Sequence, residues 1–369
     1  MKKIIFIFMT LIISAMSNKL PAQKLNYEKA GLPDPYEKYK FSAIQIDSLI
    51  EIIKSGKPAQ KRTAIFYIDI AASNGYLELK EINKVVPNFI FLLNNTPIEQ
   101  PSNENNQEPL HAVIIECLGR LGDKSVADII YDVFNNEKED NVTKRKALTV
   151  LGLFKDRRVE DAAVSGLGSN DWNLRRVCIG VVDNLKSVRG IMPILKIMKE
   201  ITAFSTYPPE LSMGYGHVPA YKSLLISCHH ALVSIGTEAI PSLLEALKDT
   251  NIKYRNWAAY TLGSIKRPEY NETVGPALVE ILYTSGDEWF HERAVWLIGD
   301  LGYKEAIPTL MELLKDKNKR KSCAAGIGEN LKRLGVKIER VTWKDKTGQG
   351  HAKYVIKDEK GKETEIIEE

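Results

Sequence analysis

A large apolar residue recurs along this chain at Ile68, Leu118, Leu151, Val182, Leu232, Leu262, Ile298 and Leu331. The intervals are 50, 33, 31, 50, 30, 36 and 33 residues. One helical turn earlier stand Ala64, Ile114, Ala147, Cys178, Cys228, Ala258, Ala294 and Ile327, and six of these eight are Ala or Cys. Small side chains at a fixed offset from a large one are what neighbouring helices need in order to approach closely. Gly follows the anchor at 119, 152, 263 and 299, and Pro recurs at 87, 193, 241, 276 and 308. These prolines are expected at the start of a second helix, where the missing N–H costs nothing. The clearest unit is Trp289–Asp316. Ala294, Ile298 and Leu301 mark one apolar face, Gly302-Tyr303-Lys304 makes the turn, and Pro308 opens a helix carrying Leu310, Leu313 and Leu314. Such a pair cannot bury its own apolar face alone and needs neighbours of the same kind.

The marks resemble HEAT repeats over roughly residues 43–335, best in LGRLGDKSVADIIYDVF (118–134), SIGTEAIPSLLEALKD (234–249) and IGDLGYKEAIPTLMELLKD (298–316). They look most like the short bacterial HEAT repeats of many binding proteins and of bilin-lyase-like relatives. Arg62, Arg145, Arg175 and Arg255 stand just before the small position, where such repeats often carry Arg. The resemblance implies an all-α fold, a right-handed α-solenoid of seven or eight helix pairs, in which the second helices line a concave groove. It implies a non-enzymatic scaffold for a partner protein or peptide. The alternative it leaves open is an enzyme or small-ligand binder of the lyase kind.

The two intervals of 50 residues locate insertions. One is split between the turn at Tyr76–Lys84 and the polar, Asn-rich Asn94–Glu108, which reads as a solvated loop. The other, Ala203–Ala220, holds Phe204, Tyr207, Met213, Tyr215 and His217 around Pro208-Pro209. A long connection of this kind inside a repeat array is often functional. Phe204, Tyr207, Tyr215 and His217, with Trp172 ahead of the helix that follows Asp171, are the expected partner-binding residues. The lyase-like alternative would use the same insertion with His229. Trp257 and Trp296 read as buried or half-buried on first helices, and Trp289 as preceding the helix at His291. Beyond Gly335, VKIERVTW, HAKYVIKD and ETEIIEE alternate with period two around turn residues. They predict a small three-stranded meander or cap over 336–369.

Lys2 and Lys3 precede an apolar run from Ile4 to Ala15, followed by Leu20-Pro21-Ala22. That is the pattern of a secretory signal peptide, with cleavage expected after Ala22 and an extended lead-in over 23–42. No Cys follows the run, so no lipid attachment is expected. The mature chain is expected in the periplasm or outside the cell. No later stretch reads as long enough to span a bilayer. Removing residues 1–22 takes three lysines and no acid, so the formal charge falls from +4 to 48 bases against 47 acids, +1. A near-neutral chain gives no electrostatic case for nucleic acid.

The four cysteines, Cys117, Cys178, Cys228 and Cys323, show no metal or redox spacing. His291-Glu292 lacks the second His of a zinc motif, since residue 295 is Val. No nucleophile-elbow or phosphate-loop pattern is present. No cofactor, metal or catalytic residue is therefore expected. Expression in a host with a secretion pathway should yield a chain whose intact mass corresponds to Gln23 as first residue. An unprocessed N-terminus would remove the export reading.

Overall fold

A computed structural model describes residues 43–99, 108–212, 219–316, 324–345, 347, 349–357 and 362–368. The expected signal peptide and lead-in, most of the polar insertion, Tyr215, His217, Cys323 and the basic run after Asp316 lie outside the described residues. The helices are α1 (Ala43–Ser55), α2 (Pro58–Ser73), α3 (Leu79–Asn95), α4 (Leu110–Leu121), α5 (Ala127–Asn135), α6 (Asn141–Leu153), α7 (Glu160–Gly166), α8 (Trp172–Leu185), α9 (Ile191–Ala203), α10 (Pro209–Ser212), α11 (Ala220–Ile235), α12 (Ile240–Ala246), α13 (Ile252–Ile265), α14 (Asn271–Thr284), α15 (Glu288–Leu301), α16 (Ile307–Lys315) and α17 (Ala324–Arg333). Three strands follow: β1 (Ile338–Lys344), β2 (Gly350–Lys357) and β3 (Glu363–Glu368).

The chain forms two compact units. One is Met1–Gly190 with Pro208–Leu224, the other Ile191–Tyr207 with Leu225–Glu369. In the first unit the anchor-bearing helices α2, α4, α6 and α8 pack side by side, each against the next. In the second, α13 packs on α15 and α15 on α17, with α14 and α16 filling between them. Every anchor is at most 4% exposed, and every residue one turn before it at most 1%. The recurring column is therefore the core of both units.

The glycines explain how close the helices come. A Cβ on Gly119 would lie 2.6 Å from Val150, one on Gly152 2.8 Å from Val181, and one on Gly263 3.0 Å from Leu297. A Cβ on Gly299 would overlap Asn330. In all four cases the obstacle is the residue just before the next anchor. Only a glycine lets these four first helices seat against their successors at this depth. The turns repeat as well. Gly122 and Gly302 end α4 and α15 at φ +74° and +67°, the left-handed cap that glycine adopts without strain. Asp123 and Asp156 then accept the Ser125 and Arg158 N–H groups at 2.9 and 3.0 Å.

Two prolines depart from the expected placement. Pro241 and Pro308 do sit in the first turns of α12 and α16, but Pro87 and Pro276 lie inside α3 and α14. Part of the supposed turn at Tyr76–Lys84 is helical, because Glu78 and Glu81 cap α3 reciprocally and start it at Leu79. Ala220–Ala246 is apolar and long enough by composition to cross a bilayer, contrary to expectation, yet half of it is buried. Gly236 breaks it at φ +88° into α11 and α12, so it reads as core helices.

The sheet has the order β1-β2-β3, with Ile338 opposite Ile356 and Tyr354 opposite Ile366. Its buried face carries Ile338, Ala352, Tyr354, Ile356 and Ile366. Tyr354 lies directly over Gly328 of α17, where a side chain would displace its ring.

The close approach yields a paired test. Gly152→Ala should lose stability relative to Gly180→Ala by about 1–3 kcal/mol, because both gain helix propensity but only residue 152 overpacks. Nothing lies within 4 Å of a Cβ on Gly180. Denaturant midpoints of the two variants check this, and equal midpoints would contradict the packing assignment.

Candidate interaction surface

In the second unit the first helices carry a cluster of rings. Asp287 caps α15 by accepting the Trp289 N–H at 3.0 Å, and His291 Nε2 donates to the Ser285 carbonyl at 2.6 Å. This fixed turn places Trp289 and Phe290 in the first turn of α15. Phe290 meets Trp257 of α13 edge-on, with centroids 4.8 Å apart. Trp289 meets Tyr260 edge-on at 5.3 Å, and Tyr260 stacks on His229 of α11 at 4.3 Å and 18°. His229, Trp257 and Phe290 are buried and form a floor. Tyr260 and Trp289 are half-buried above it, with exposed His230 and Arg293 alongside. The Arg293 guanidinium lies 5.6 Å from the Trp289 ring centre.

The protonation state of His229 follows from its partners. Thr261 Oγ1 donates to the Trp257 carbonyl at 2.7 Å, so toward His229 Nδ1, 3.1 Å away, it accepts. The Nδ1 atom therefore carries the hydrogen of a neutral ring. Burial, with a smaller contribution from His230, pushes the His229 pKa down to about 3. Burial raises the Tyr260 hydroxyl, against the opposing charge of Arg293. Tyr260 stays a neutral donor, and with Trp289 it presents rigid amphipathic area beside a guanidinium. Tyr, Trp and Arg are the side chains that most often anchor a protein interface.

The same side of the first helices is charged in the first unit. Arg120 pairs with Asp69 of α2 and, at 2.6 Å, with Glu116; Lys146 of α6 pairs with Glu116. Burial raises Asp69 to about 6, although the Arg120 charge opposes it. His111 is buried against Glu139 at 2.7 Å and the Thr96 carbonyl at 3.2 Å. Cys117, Cys178 and Cys228 are free and buried, and burial pushes each thiol up. A thiol so held is a poor nucleophile. Among the described residues no group of His, Cys, Asp or Glu is arranged to hold a metal.

The expected partner-binding residues are placed as follows. Trp172 is the first residue of α8, half-buried, with the Arg175 guanidinium 4.3 Å over its ring. It was expected ahead of the helix; Asp171 starts the helix one residue earlier by capping the Asn173 N–H at 2.8 Å. Phe204 and Tyr207 are half-buried and meet edge-on at 6.0 Å. Trp172 belongs to the first unit and this pair to the second. Trp257 is buried and Trp296 half-buried, as their helix positions suggest. The ring cluster was missed as a site. A signal existed: His230 and Tyr260 each stand two residues before an anchor, in successive repeats.

Comparison with known proteins bears on the repeat. The family described as PBS lyase HEAT-like repeat matches residues 291–316. Importin beta has a similar fold over 78% of this chain and 40% of its own, with a TM-score of 0.51 and 10% identity. Residues 291–316 are thus similar to a HEAT-like repeat. The chain's fold is an α-solenoid with a small C-terminal sheet. The chain spans about two fifths of importin beta. Other similar structures are the complex of CpcE and CpcF of phycocyanin lyase from Nostoc sp. PCC7120, with a TM-score of 0.32 at 17% identity over 64% of this chain and 99% of that one, and human deoxyhypusine hydroxylase, with 0.30 at 14% over 78% and 96%. No curated protein matches the sequence.

The buried His229 gives a pH prediction. Its folded pKa of about 3 lies below the ordinary 6.5, so between those values the unfolded chain binds more protons and stability rises with pH. Lowering pH from 7 to 5 should cost roughly 2 kcal/mol through this residue. Denaturant unfolding at both pH values should show a smaller loss in His229→Phe than in the wild type. Equal losses would mean that His229 takes up a proton while folded.

Proposed function

We propose that this chain is an exported, non-enzymatic HEAT-repeat scaffold that holds a partner protein or peptide along its repeat surface. The observation that carries the reading is the ring cluster of the second unit. Buried Trp257 and Phe290 hold Tyr260 and Trp289 rigid and half-exposed, with Arg293 beside them. Rings already immobilised lose little conformational freedom when a partner covers them, which favours affinity. In this reading the insertion with Phe204 and Tyr207 adds a second contact. Export rests on Lys2-Lys3, the apolar run to Ala15 and Leu20-Pro21-Ala22. The mature chain then works in the periplasm or beyond it, without membrane insertion and without nucleic acid.

The lyase-like alternative gains little from the site. His229, which it would use, is buried and engaged with Thr261.

A crosslinking pull-down from the native envelope fraction supplies the partner, and a titration then measures its affinity. Tyr260→Ala and Trp289→Ala should each weaken binding by about tenfold or more, while helical content stays unchanged. A partner that binds both variants as tightly as the wild type removes the cluster from the interface.

A further inference from the structure

The C-terminal sheet has two edges of opposite charge. β1 carries Arg340 and Lys344, with Lys337 just before it, against the lone acid Glu339, whereas β3 reads Glu363-Thr-Glu-Ile-Ile-Glu368. Within the sheet, β3 already pairs with a basic strand: Lys353 bonds Glu365, and Lys357 bonds Glu363 at 2.9 Å. No described strand lies beyond β1 or beyond β3.

The backbone fixes which residues face outward. Lys357 donates to the Lys337 carbonyl and Asp345 to that of Gln349, both at 2.9 Å. The odd-numbered residues of β1 therefore bond to β2, and Ile338, Arg340, Thr342 and Lys344 turn their backbone groups away from it. By the same alternation Glu363, Glu365 and Ile367 turn theirs outward from β3. An open groove of about 690 Å³ runs beside Arg340, Thr342, Lys344 and Ala352.

We propose that β1 receives β3 of a second copy of this chain, giving a head-to-tail assembly through a continuous sheet. Three arguments select this occupant. Two β1 edges would oppose Arg340 and Lys344 to their own kind, and two β3 edges would oppose glutamates; like charges directly across a strand pair destabilise it. The mixed pairing is the one left. Next, β1 and β3 both run antiparallel to β2, so they point the same way. A second copy must be turned over to lay its β3 antiparallel on β1. Turning it over brings the face of Glu363, Glu365 and Ile367 level with that of Arg340, Thr342 and Lys344. With Lys344 opposite Glu363, Thr342 meets Glu365, Arg340 meets Ile367, and Val341 meets Ile366 on the other face. Each carboxylate then lies between a lysine of its own β2 and the basic edge of its neighbour. Finally, the two α17 helices fall on opposite faces of the shared sheet and do not collide. Because each copy keeps one edge of each kind, the contact does not close on itself.

Sedimentation velocity of the full chain over a concentration series at low salt tests this. The mean sedimentation coefficient should rise with concentration. Thr342→Pro removes an outward N–H while keeping the ladder to β2, and should move the association to at least about tenfold higher concentration. Arg340→Glu/Lys344→Glu and Glu363→Lys/Glu365→Lys should each be monomeric alone and should assemble when mixed. A wild type that stays monomeric throughout overturns the proposal. So does association that Thr342→Pro leaves unchanged, or folded charge variants that fail to assemble when mixed.

Discussion

Everything in this molecule depends on how near one first helix can come to the next. The approach is set by two columns of residues, the position one turn before the anchor, Ala or Cys in six of eight cases, and the glycine that follows four of the anchors. Neither column stabilises much by itself. Together they let the anchors interdigitate without voids, and dispersion and burial follow from that contact. A bulkier residue in either column would lever two helices apart and uncover apolar surface on both.

Polar groups on the first helices are therefore constrained twice over. They must leave the packing undisturbed, and they must satisfy one another wherever the stack buries them. In the first unit this produces the Asp69, Arg120, Glu116 and Lys146 network. In the second it produces rings that cover one another from floor to surface. Charged pairs of this kind at a partly wet surface contribute modestly to stability. The rings bury more area and leave two amphipathic faces available, which is why the interaction reading falls on them.

Much of this was legible in the residues. The spacing of Leu151, Leu262 and Ile298, with Ala147, Ala258 and Ala294 one turn earlier, located the core before any coordinates. The period-two pattern after Gly335 located the sheet. What escaped depends on contacts between repeats. Trp289 looked like a loop residue because its cap, Asp287, and its neighbour, Tyr260, meet only after folding. Pro87 and Pro276 looked like helix starts because proline is cheapest there, yet the reciprocal cap at Glu78 and Glu81 begins α3 well upstream. Trp172 was placed ahead of α8 for a similar reason. Tyr215 and His217 lie outside the described residues.

The Asp69–Arg120–Glu116–Lys146 chain ties α2, α4 and α6 through side chains of which Arg120 and Glu116 each hold two partners. A terminal repeat that frays must strand a carboxylate or a guanidinium belonging to the repeat behind it. Local melting at that end is thus opposed by the pairs it would break, and the ionic chain couples α2, α4 and α6 to one another.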